Sequence, residues 1–219
     1  KTYKYFPLKK EITFIVETDN RRCSIHGHVE SNEPVIFSQE EYTQISIICP
    51  SPYFEDVGEY SEVTTIFYGV EPLFEFPFFN DSLTVPLMVI DNINQSEQRL
   101  ITYQGDADVG VVIKLKALGP VKNVNLYNTG TREVMKLDSA KLIAMTGSGI
   151  IVGDEIVLTT LRENKTIDLL RNGVYINILN CLDRFTEWFT LVKGDNIFAY
   201  TAEEGASNLM VTISHRTLY

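Results

Sequence analysis

The spacing of turn residues in the last third of the chain constrains the fold more than any other feature of the sequence. Between residues 153 and 216, each apolar run is short and stops at a turn signal. Asn172-Gly173 and the Gly194–Asn196 corner supply residues that tolerate a positive φ, as hairpin corners require. Short strands separated by such corners are typical of an antiparallel β-sandwich, so the sequence predicts an all-β protein.

The same rhythm of short apolar runs extends over most of the chain. Helical patterns are weak, and only the stretch 180–190 is compatible with one or two helical turns. Asn32-Glu33-Pro34 predicts a turn, Asn128-Thr129-Gly130 predicts a three-residue hairpin loop, and Thr146–Gly149 predicts a flexible connector. The predicted strands are Ile12–Val16, Cys23–Val29, Gln44–Cys49, Val63–Tyr68, Val85–Ile90, Arg99–Tyr103, Val109–Leu115, Val121–Tyr127, Glu133–Leu137, Ile150–Thr159, Thr166–Leu170, Ile197–Tyr200 and Leu209–Ser214.

A dense apolar stretch, Leu73–Phe79, divides the chain into two parts. We expect this stretch to be buried, because an exposed β-prone run of this kind would aggregate. Asn80-Asp81-Ser82 follows it as a turn. A chain of 219 residues is long enough for two domains. We therefore predict a β-rich N-terminal part over residues 1–78 and a β-sandwich domain over residues 79–219.

The charge of the chain and the length of its apolar runs argue against two classes of partner. The net charge is −10, and the basic pairs Lys9-Lys10 and Arg21-Arg22 are flanked by acidic residues. Binding to a nucleic-acid backbone needs clustered Lys and Arg, which the sequence lacks. The longest apolar runs are also too short to span a bilayer. We expect neither a nucleic-acid partner nor a membrane partner.

The three cysteines are widely separated in the sequence. Cys23, Cys49 and Cys181 are an odd number and show no short spacing, which does not fit a disulfide framework. We predict that all three are unpaired thiols. They are expected to act as small buried apolar residues in a protein made in a reducing cytoplasm.

Two groups of residues are candidates for a metal site. Cys23, His26 and His28 lie close in sequence, but on a strand the two histidines share one face and Cys23 points to the other. Exposed strand histidines are therefore favoured over a zinc site. Asp106 and Asp108 weakly resemble a calcium loop, but the further acidic ligands of such a loop are absent. An ordinary polar turn is favoured there.

No arrangement of residues in the sequence supports catalysis. Gly147-Ser148-Gly149 lacks the spacing of a phosphate-binding loop and of a nucleophile elbow. His215 has no nucleophile near it in sequence, and Glu203-Glu204 is expected to be a solvated loop. We predict that the protein is not an enzyme. We also predict no catalytic residues, no cofactor-binding residues and no metal-binding residues, and hence no cofactor.

Trp188 is the single tryptophan of the chain. An exposed tryptophan can stack on a sugar ring, but this one lies in an apolar run with Phe185 and Phe189, which favours core packing. We expect Trp188 to anchor the core of the C-terminal sandwich. We expect Gly194 to make the positive-φ turn that leads into the strand Ile197–Tyr200.

The segment Ile45–Phe54 contains the string Cys49-Pro50-Ser51-Pro52-Tyr53-Phe54. It resembles the end of the N-terminal domain in the distal tail proteins of siphophages and prophages. The preceding His26–Glu30 is similar to an extended strand of the same domain. The run Phe74–Phe78 resembles the family's inter-domain segment.

The C-terminal half carries the rest of the resemblance. Gly153-Asp154-Glu155, Asn172-Gly173 and Phe189–Asn196 follow the order and spacing of the family's C-terminal domain, with Lys193 where the family often has proline. Ser214–Tyr219 is similar to the closing residues of that domain. Each match is a loose string of β-type residues, and the order of the matches makes the resemblance specific.

The resemblance implies a structural role in a phage or prophage tail. Distal tail proteins form a hexameric ring at the tail tip or baseplate, which joins the tail tube to the tail-associated lysin or fibre hub and often carries receptor-binding proteins. It implies a ring-forming N-terminal domain and a galectin-like sandwich outside the ring. The implied location is the virion, after synthesis in the bacterial host cytoplasm. Family strands that precede Lys1, about a hundred residues, are expected to be missing, so the ring is implied for the full-length protein.

A second class of function stays open at this point. The C-terminal sandwich is also compatible with a carbohydrate-binding module that recognises host surface glycans. A concave sheet face with exposed aromatic and polar side chains favours sugar binding. An aliphatic or closed face favours a scaffold.

Overall fold

The computed structural model describes residues 2–18, 21–35, 40, 42–58, 61–67 and 98–219. In this part of the chain, 58% of residues lie in strands and 9% in helices. Globular proteins contain about a third helix on average. The predicted all-β fold class is therefore confirmed.

The chain forms two compact units whose segments alternate along the sequence. The first unit comprises Lys1–Val63, Gln104–Asp108 and Arg216–Tyr219, and the second comprises Thr64–Tyr103 and Val109–His215. One short segment near the middle of the chain and one at its C-terminal end thus belong to the first unit.

Several predictions fall outside the described residues. These are the buried stretch Leu73–Phe79, the turn Asn80-Asp81-Ser82, the strand Val85–Ile90 and the domain boundary between residues 78 and 79. They stay predictions.

The first unit contains a four-stranded antiparallel sheet. Its strands are β1 (Glu11–Glu17), β2 (Arg22–Val35), β3 (Tyr42–Ile48) and β4 (Glu55–Asp56). The strand order is β1-β2-β3, and β4 also pairs with β2. In the pairing of β1 with β2, Phe14 lies opposite Ile25 and Val16 lies opposite Cys23. Residues opposite each other share a face, so these apolar side chains line one side of the sheet.

Strand β2 is longer than the sequence pattern predicted. The expected turn at Asn32-Glu33-Pro34 is wrong, because these residues continue the pairing with β3 as far as Val35. A shift of register between Val29 and Ser31 marks a bulge. A bulge lets a strand bend without ending, and prolines are tolerated near such irregular positions.

The segment Arg216–Tyr219, here called the closing segment, pairs with β4 in the first unit. Phe54 N donates to Tyr219 O at 3.0 Å, and Tyr219 N donates to Phe54 O at 2.8 Å. Asp56 N donates to Thr217 O at 3.0 Å. This antiparallel exchange extends the sheet with residues from the other end of the chain.

Side chains also hold the closing segment. The Arg21 guanidinium carbon lies 4.6 Å from the centre of the Tyr219 ring, and the Tyr219 hydroxyl donates to Asp56 Oδ2 at 3.3 Å. Arg216 Nη1 lies 3.1 Å from Glu55 Oε2. Burial, together with the Asp56 carboxylate, raises the pKa of Tyr219 above its ordinary value. The phenol therefore keeps the proton that it donates.

The second unit contains two antiparallel sheets and one α-helix. Its elements are β5 (Val63–Ile66), β6 (Gln98–Tyr103), β7 (Val109–Ala117), β8 (Lys122–Asn128), β9 (Glu133–Lys136), α1 (Ser139–Thr146), β10 (Glu155–Leu161), β11 (Asn164–Arg171), β12 (Val174–Asn177), β13 (Thr190–Leu191), β14 (Gly194–Glu204) and β15 (Leu209–His215). The larger sheet has the strand order β12-β11-β10-β7-β15-β5, and β13 also pairs with β7. The smaller sheet has the strand order β6-β14-β8-β9.

Alternate residues of the strands are buried between the two sheets. In β7, Val111, Ile113 and Leu115 are at most 2% exposed, whereas Lys114 and Lys116 are exposed. A strand places successive side chains on opposite faces, so a period of two separates core from surface. The second unit is therefore a β-sandwich.

Aromatic pairs connect the two sheets across the core. Tyr103 at the end of β6 meets His215 at the end of β15 edge to face, with ring centres 5.5 Å apart. Phe67, which follows β5, meets Tyr200 of β14 in the same way at 6.0 Å. His215 is 5% exposed. The histidine that the sequence singled out is therefore part of the packed core.

Helix α1 was not predicted. Asp138 precedes it and caps it, because Asp138 Oδ1 accepts hydrogen bonds from Ala140 N at 2.8 Å and Lys141 N at 3.3 Å. Gly147 ends the helix with a left-handed φ of 82°. Aspartate at the N-cap and glycine after the last turn are typical helix boundaries. Asp138 and Gly147 are therefore the residues from which the helix could have been predicted in the sequence.

The predicted hairpin corners have different outcomes. Asn172 and Gly173 have φ values of 52° and 79° and join β11 to β12, so this two-residue corner is confirmed. The three-residue loop at Asn128 is wrong, because Asn128 still pairs with Glu133 and leaves four residues between them. Asn128 stays in β8 because β14 pairs with it on the other side.

The Gly194 corner is confirmed. Gly194 has a φ of 100° and starts β14. Asn196 is 1% exposed, and its side-chain Nδ2 donates to Val192 O at 2.8 Å and to Gly194 O at 3.0 Å. The buried amide of Asn196 thus satisfies the backbone of the turn that glycine makes possible.

The core position assigned to Trp188 is wrong. Trp188 is half-buried, and Lys165 Nζ lies 5.8 Å from the centre of its ring. The next residue, Phe189, is 0% exposed and meets Phe198 edge to face at 5.6 Å. The chain is extended as it enters β13, so neighbouring side chains point in opposite directions and Phe189 takes the inner place.

We predict that Phe189→Ala lowers the free energy of unfolding by about 3–5 kcal/mol, because it empties a packed site between the sheets. Trp188→Ala is the matched control. Its loss is expected to be smaller, because part of the indole ring already contacts water. Denaturant unfolding followed by circular dichroism measures both, and equal losses would contradict this assignment of the core.

We predict that a chain ending at His215 keeps the second unit folded and weakens the first. The amides of Phe54 and Asp56 should exchange hydrogen faster, because their acceptors in the closing segment are gone. Hydrogen exchange followed by NMR measures this, with the amides of β7 as internal reference. Arg216→Ala, which removes an exposed ion pair, should change little. Unchanged exchange at Phe54 would show that the closing segment does not hold the sheet.

Candidate binding surface

A polar groove crosses the outer face of the smaller sheet. Thr201 of β14 lies opposite Asn125 of β8, and Asn125 lies opposite Lys136 of β9. These residues point away from the core, so they form a row across three neighbouring strands. The groove has a volume of about 550 Å³, and its lining is completed by Asn123, Leu137, Asp138, Asp183, Ala202 and Glu203.

One side of the groove is formed by the segment that runs beside β9 and the start of α1. Asp183 N donates to Lys136 O at 2.9 Å, and Asp138 N donates to Cys181 O at 2.9 Å. Leu137 and Leu182 form an isolated bridge between the two segments. The backbone therefore fixes the positions of Asp138 and Asp183 on this side.

The other side of the groove depends on Asn123. This residue has a φ of 50°. Asn123 N donates to Ser139 Oγ at 2.8 Å, and Ser139 N donates to Asn123 Oδ1 at 2.9 Å. The two residues exchange hydrogen bonds, which fastens the start of α1 to β8 and stabilises the unusual backbone conformation of Asn123.

Glu203 takes part in a charged cluster at the end of the groove. Lys122 Nζ lies 2.7 Å from Glu203 Oε1 and 3.3 Å from Glu204 Oε1. Asn123 Nδ2 also donates to Glu203 Oε2. The hydrogen bond from Lys122 lowers the pKa of Glu203. The loop expected at Glu203-Glu204 is wrong, because both residues belong to β14, but both are exposed to solvent as expected.

Thr201, Asn125 and Lys136 were not candidates in the sequence. Within the described part of the chain, the structure places no hydrogen-bond partner on their side chains. The alternation of polar and apolar residues in β8 was the available signal, since Asn123 and Asn125 fall on one face. It identified a polar face, but the strand register was needed to bring the three residues together.

Arg171 is extensively bonded to its described neighbours in the second unit. It forms a bidentate pair with Asp154, with Nε 2.8 Å from Oδ1 and Nη2 2.6 Å from Oδ2. The side chains of Asp154 and Arg171 are 2% and 12% exposed. The hydrogen bonds that Arg171 donates to the Asp154 carboxylate raise the pKa of Arg171. We call this pair the Arg171–Asp154 clamp.

The clamp also holds the segment between α1 and β10. Arg171 Nη1 donates to Ser148 Oγ at 2.6 Å, and Nη2 donates to Gly149 O at 2.6 Å. Asp154 Oδ2 accepts from Ile151 N at 2.9 Å. The expectation of a flexible connector at residues 146–149 is therefore wrong. The hydroxyl of Ser148 is engaged in fixing the backbone.

The three residues Cys23, His26 and His28, which were considered for a metal site, all lie on β2. His26 and His28 are exposed on β2, and His26 Nδ1 lies 2.9 Å from Thr13 Oγ1. Cys23 is half-buried, and its position on the strand alternates with that of the histidines. In the described residues, no group of three His, Cys, Asp or Glu side chains is placed to hold a metal ion.

Asp106 and Asp108 lie in the segment Gln104–Asp108 of the first unit. Asp106 N donates to Leu218 O at 2.8 Å, and Asp106 Oδ2 lies 3.5 Å from Arg21 Nη1. This segment therefore supports the closing segment.

The three cysteines are free thiols, as predicted. Cys181 is buried, whereas Cys23 and Cys49 are half-buried. Burial raises the pKa of the Cys23 and Cys181 thiols. The neutral thiol is the less reactive form.

No helix of the described residues has the length and apolar character needed to cross a membrane.

Comparison with known proteins shows which solved structures resemble this fold. No protein-family model matches the chain, and no curated protein matches its sequence. Solved structures do match, and they come from the adsorption apparatus and baseplates of phages.

One of the matching structures is the Dit protein of phage SPP1. Its crystal structure aligns with 100% of this chain and 69% of its own length, at a TM-score of 0.62 and 12% sequence identity. Two structures of the phage P2 baseplate in its activated conformation, with Ca and with Sr, cover 95% of this chain and 68% of their own, at a TM-score of 0.46 and 7% and 8% identity. At this identity, the SPP1 match shows a shared fold. The galectin-like character of the sandwich stays a prediction.

We predict that Asp154→Asn lowers the free energy of unfolding by about 3–5 kcal/mol, because it leaves the Arg171 guanidinium in a buried site without its counter-charge. Denaturant unfolding of the purified protein measures the loss. Asp154→Leu combined with Arg171→Met should be less damaging than Asp154→Asn alone, because both charges are removed together.

Glu203→Gln is the matched control for the clamp, since it alters an exposed ion pair with Lys122. Its effect on stability is expected to be small, because water screens exposed pairs. A loss from Glu203→Gln as large as that from Asp154→Asn would show that burial does not distinguish the two pairs.

Proposed function

We propose that this protein is a structural component of a phage or prophage tail tip. In this role it is a distal tail or baseplate hub protein that joins the tail tube to tip proteins and receptor-binding proteins. It resides in the virion and performs no catalysis. The full-length protein forms a hexameric ring through its N-terminal domain.

The observation that carries the proposal is the fold similarity to SPP1 Dit, which extends over all of this chain. SPP1 Dit is a paradigm of the hub adsorption apparatus in phages that infect Gram-positive bacteria. A fold supports many functions, so this inference is an analogy. The order of the sequence motifs from His26 to Tyr219 supports the same role independently of the structure.

The sheet of the first unit supports assembly with other chains. Among the described residues, β1 and β3 each have β2 as their strand neighbour and stand at the two ends of the strand order. Ile15 of β1 is 52% exposed, and Tyr42 and Ile48 of β3 are 59% and 55% exposed. Exposed apolar edge strands favour pairing with another chain, and a protein that functions alone usually protects them.

Electron microscopy of the purified full-length protein tests the proposal. A closed ring with six-fold symmetry is the expected result. Monodisperse monomers at the concentrations used for microscopy would overturn the ring.

We predict that Ile48→Glu in the full-length protein shifts the ring toward smaller species, because a carboxylate would be buried without a partner in the contact between chains. Size-exclusion chromatography with light scattering measures the change. Val174→Glu is the matched control, because Val174 is equally exposed at 60% but belongs to the second unit. Loss of the ring in both variants, or in neither, would contradict the assignment of this contact to the first unit.

A further inference from the structure

We propose that the polar groove of the second unit binds a neutral saccharide. This inference goes beyond the proposed structural role and does not depend on it. A tail-tip protein with an empty groove would still form a ring, and a saccharide-binding sandwich would still bind as a monomer. The argument rests on the geometry, the hydrogen-bonding groups and the charge of the groove.

The geometry of the groove fits one sugar ring or two. Thr201, Asn125 and Lys136 stand side by side on three neighbouring strands, and neighbouring strands lie about 4.8 Å apart. Hydroxyl groups on a pyranose ring are spread over a similar width. A volume of about 550 Å³ lies within the range of small-molecule sites, about 300–1,000 Å³.

The hydrogen-bonding groups of the groove match those of a polyol. Thr201 supplies a hydroxyl, Asn125 supplies an amide that both donates and accepts, and Lys136 supplies three donors. Within the described residues these side chains have no protein partner, so a ligand would displace only water to reach them. A sugar hydroxyl also donates and accepts, which makes it a suitable partner for this mixed set.

The carboxylates beside the row add acceptors. Asp138 uses Oδ1 to cap α1, and Asp183 uses Oδ1 to accept from Phe185 N. The Oδ2 atom of each accepts no hydrogen bond from another described residue. Carboxylate oxygens with spare acceptor capacity form strong hydrogen bonds with neighbouring hydroxyls.

The charge of the groove selects against anionic ligands. Asp138, Asp183 and Glu203 outnumber Lys136 in the lining. Lys122, which precedes the lining residue Asn123, is already bonded to Glu203 and Glu204. A phosphate or an acidic sugar would therefore meet net repulsion, whereas a neutral sugar would not.

An aromatic side chain lies next to the row. Tyr127 is two residues from Asn125 on β8, so it belongs to the same face of the sheet. It lies opposite Ala199 of β14 and Val134 of β9 and is half-buried. Small and apolar neighbours leave one part of the ring open. The apolar face of a sugar can pack there while its hydroxyls reach Asn125.

NMR titration of the isotope-labelled chain tests the proposal. The probes are maltose, lactose and diacetylchitobiose, each added to about 50 mM, which detects Kd values in the millimolar range. We expect at least one probe to shift the amide signals of Asn125, Lys136 and Thr201. Glucose 6-phosphate, the anionic comparison, should shift them less. No shift at these amides with any of the three probes would overturn the proposal.

Variants separate binding in the groove from binding elsewhere. Asn125→Ala and Lys136→Met should each raise the Kd about tenfold, because each removes hydrogen bonds to the sugar. Lys114→Met is the matched control, since Lys114 is an exposed strand lysine on the larger sheet, and it should leave the Kd unchanged. An equal effect of Lys136→Met and Lys114→Met, with all variants folded by circular dichroism, would overturn the proposal.

Discussion

The Arg171–Asp154 clamp is the interaction on which the arrangement of the second unit depends. A buried ion pair stabilises a protein only when its remaining donors and acceptors are satisfied. Here the guanidinium also bonds Ser148 and Gly149, and the carboxylate also bonds Ile151 N. These bonds fix the end of α1 relative to β10 and the β11–β12 hairpin. Because the start of α1 lines the polar groove, the clamp indirectly positions the candidate binding surface.

In the β-sandwich, successive side chains of each strand point alternately into the core and out to the surface. Inward side chains form the core, where edge-to-face pairs such as Phe67 with Tyr200 join the sheets. Outward side chains contribute little to that core, so their identity is set by the surface they form. The row of Thr201, Asn125 and Lys136 uses these outward positions. A surface of this kind can change without loss of the fold.

The first unit is assembled from segments far apart in sequence. The closing segment pairs with β4, and Asp106 of a third segment bonds Leu218 O. Such pairings carry a larger entropic cost of loop closure, because the long chain between them must be brought together. They also make the integrity of the first unit depend on the last residues of the sequence. A sheet that combines this dependence with exposed apolar edges is well suited to assembly with neighbouring chains.

The sequence by itself determined most strand positions and two hairpin corners, because alternation of apolar residues and corners such as Asn172-Gly173 are local signals. It did not reveal α1, since eight residues give a weak helical period even between good caps. Only the tertiary structure decided that Phe189 enters the core in place of Trp188. The tertiary structure also forms the groove, because strand register brings Asn125 beside Lys136. That register depends on contacts between distant segments.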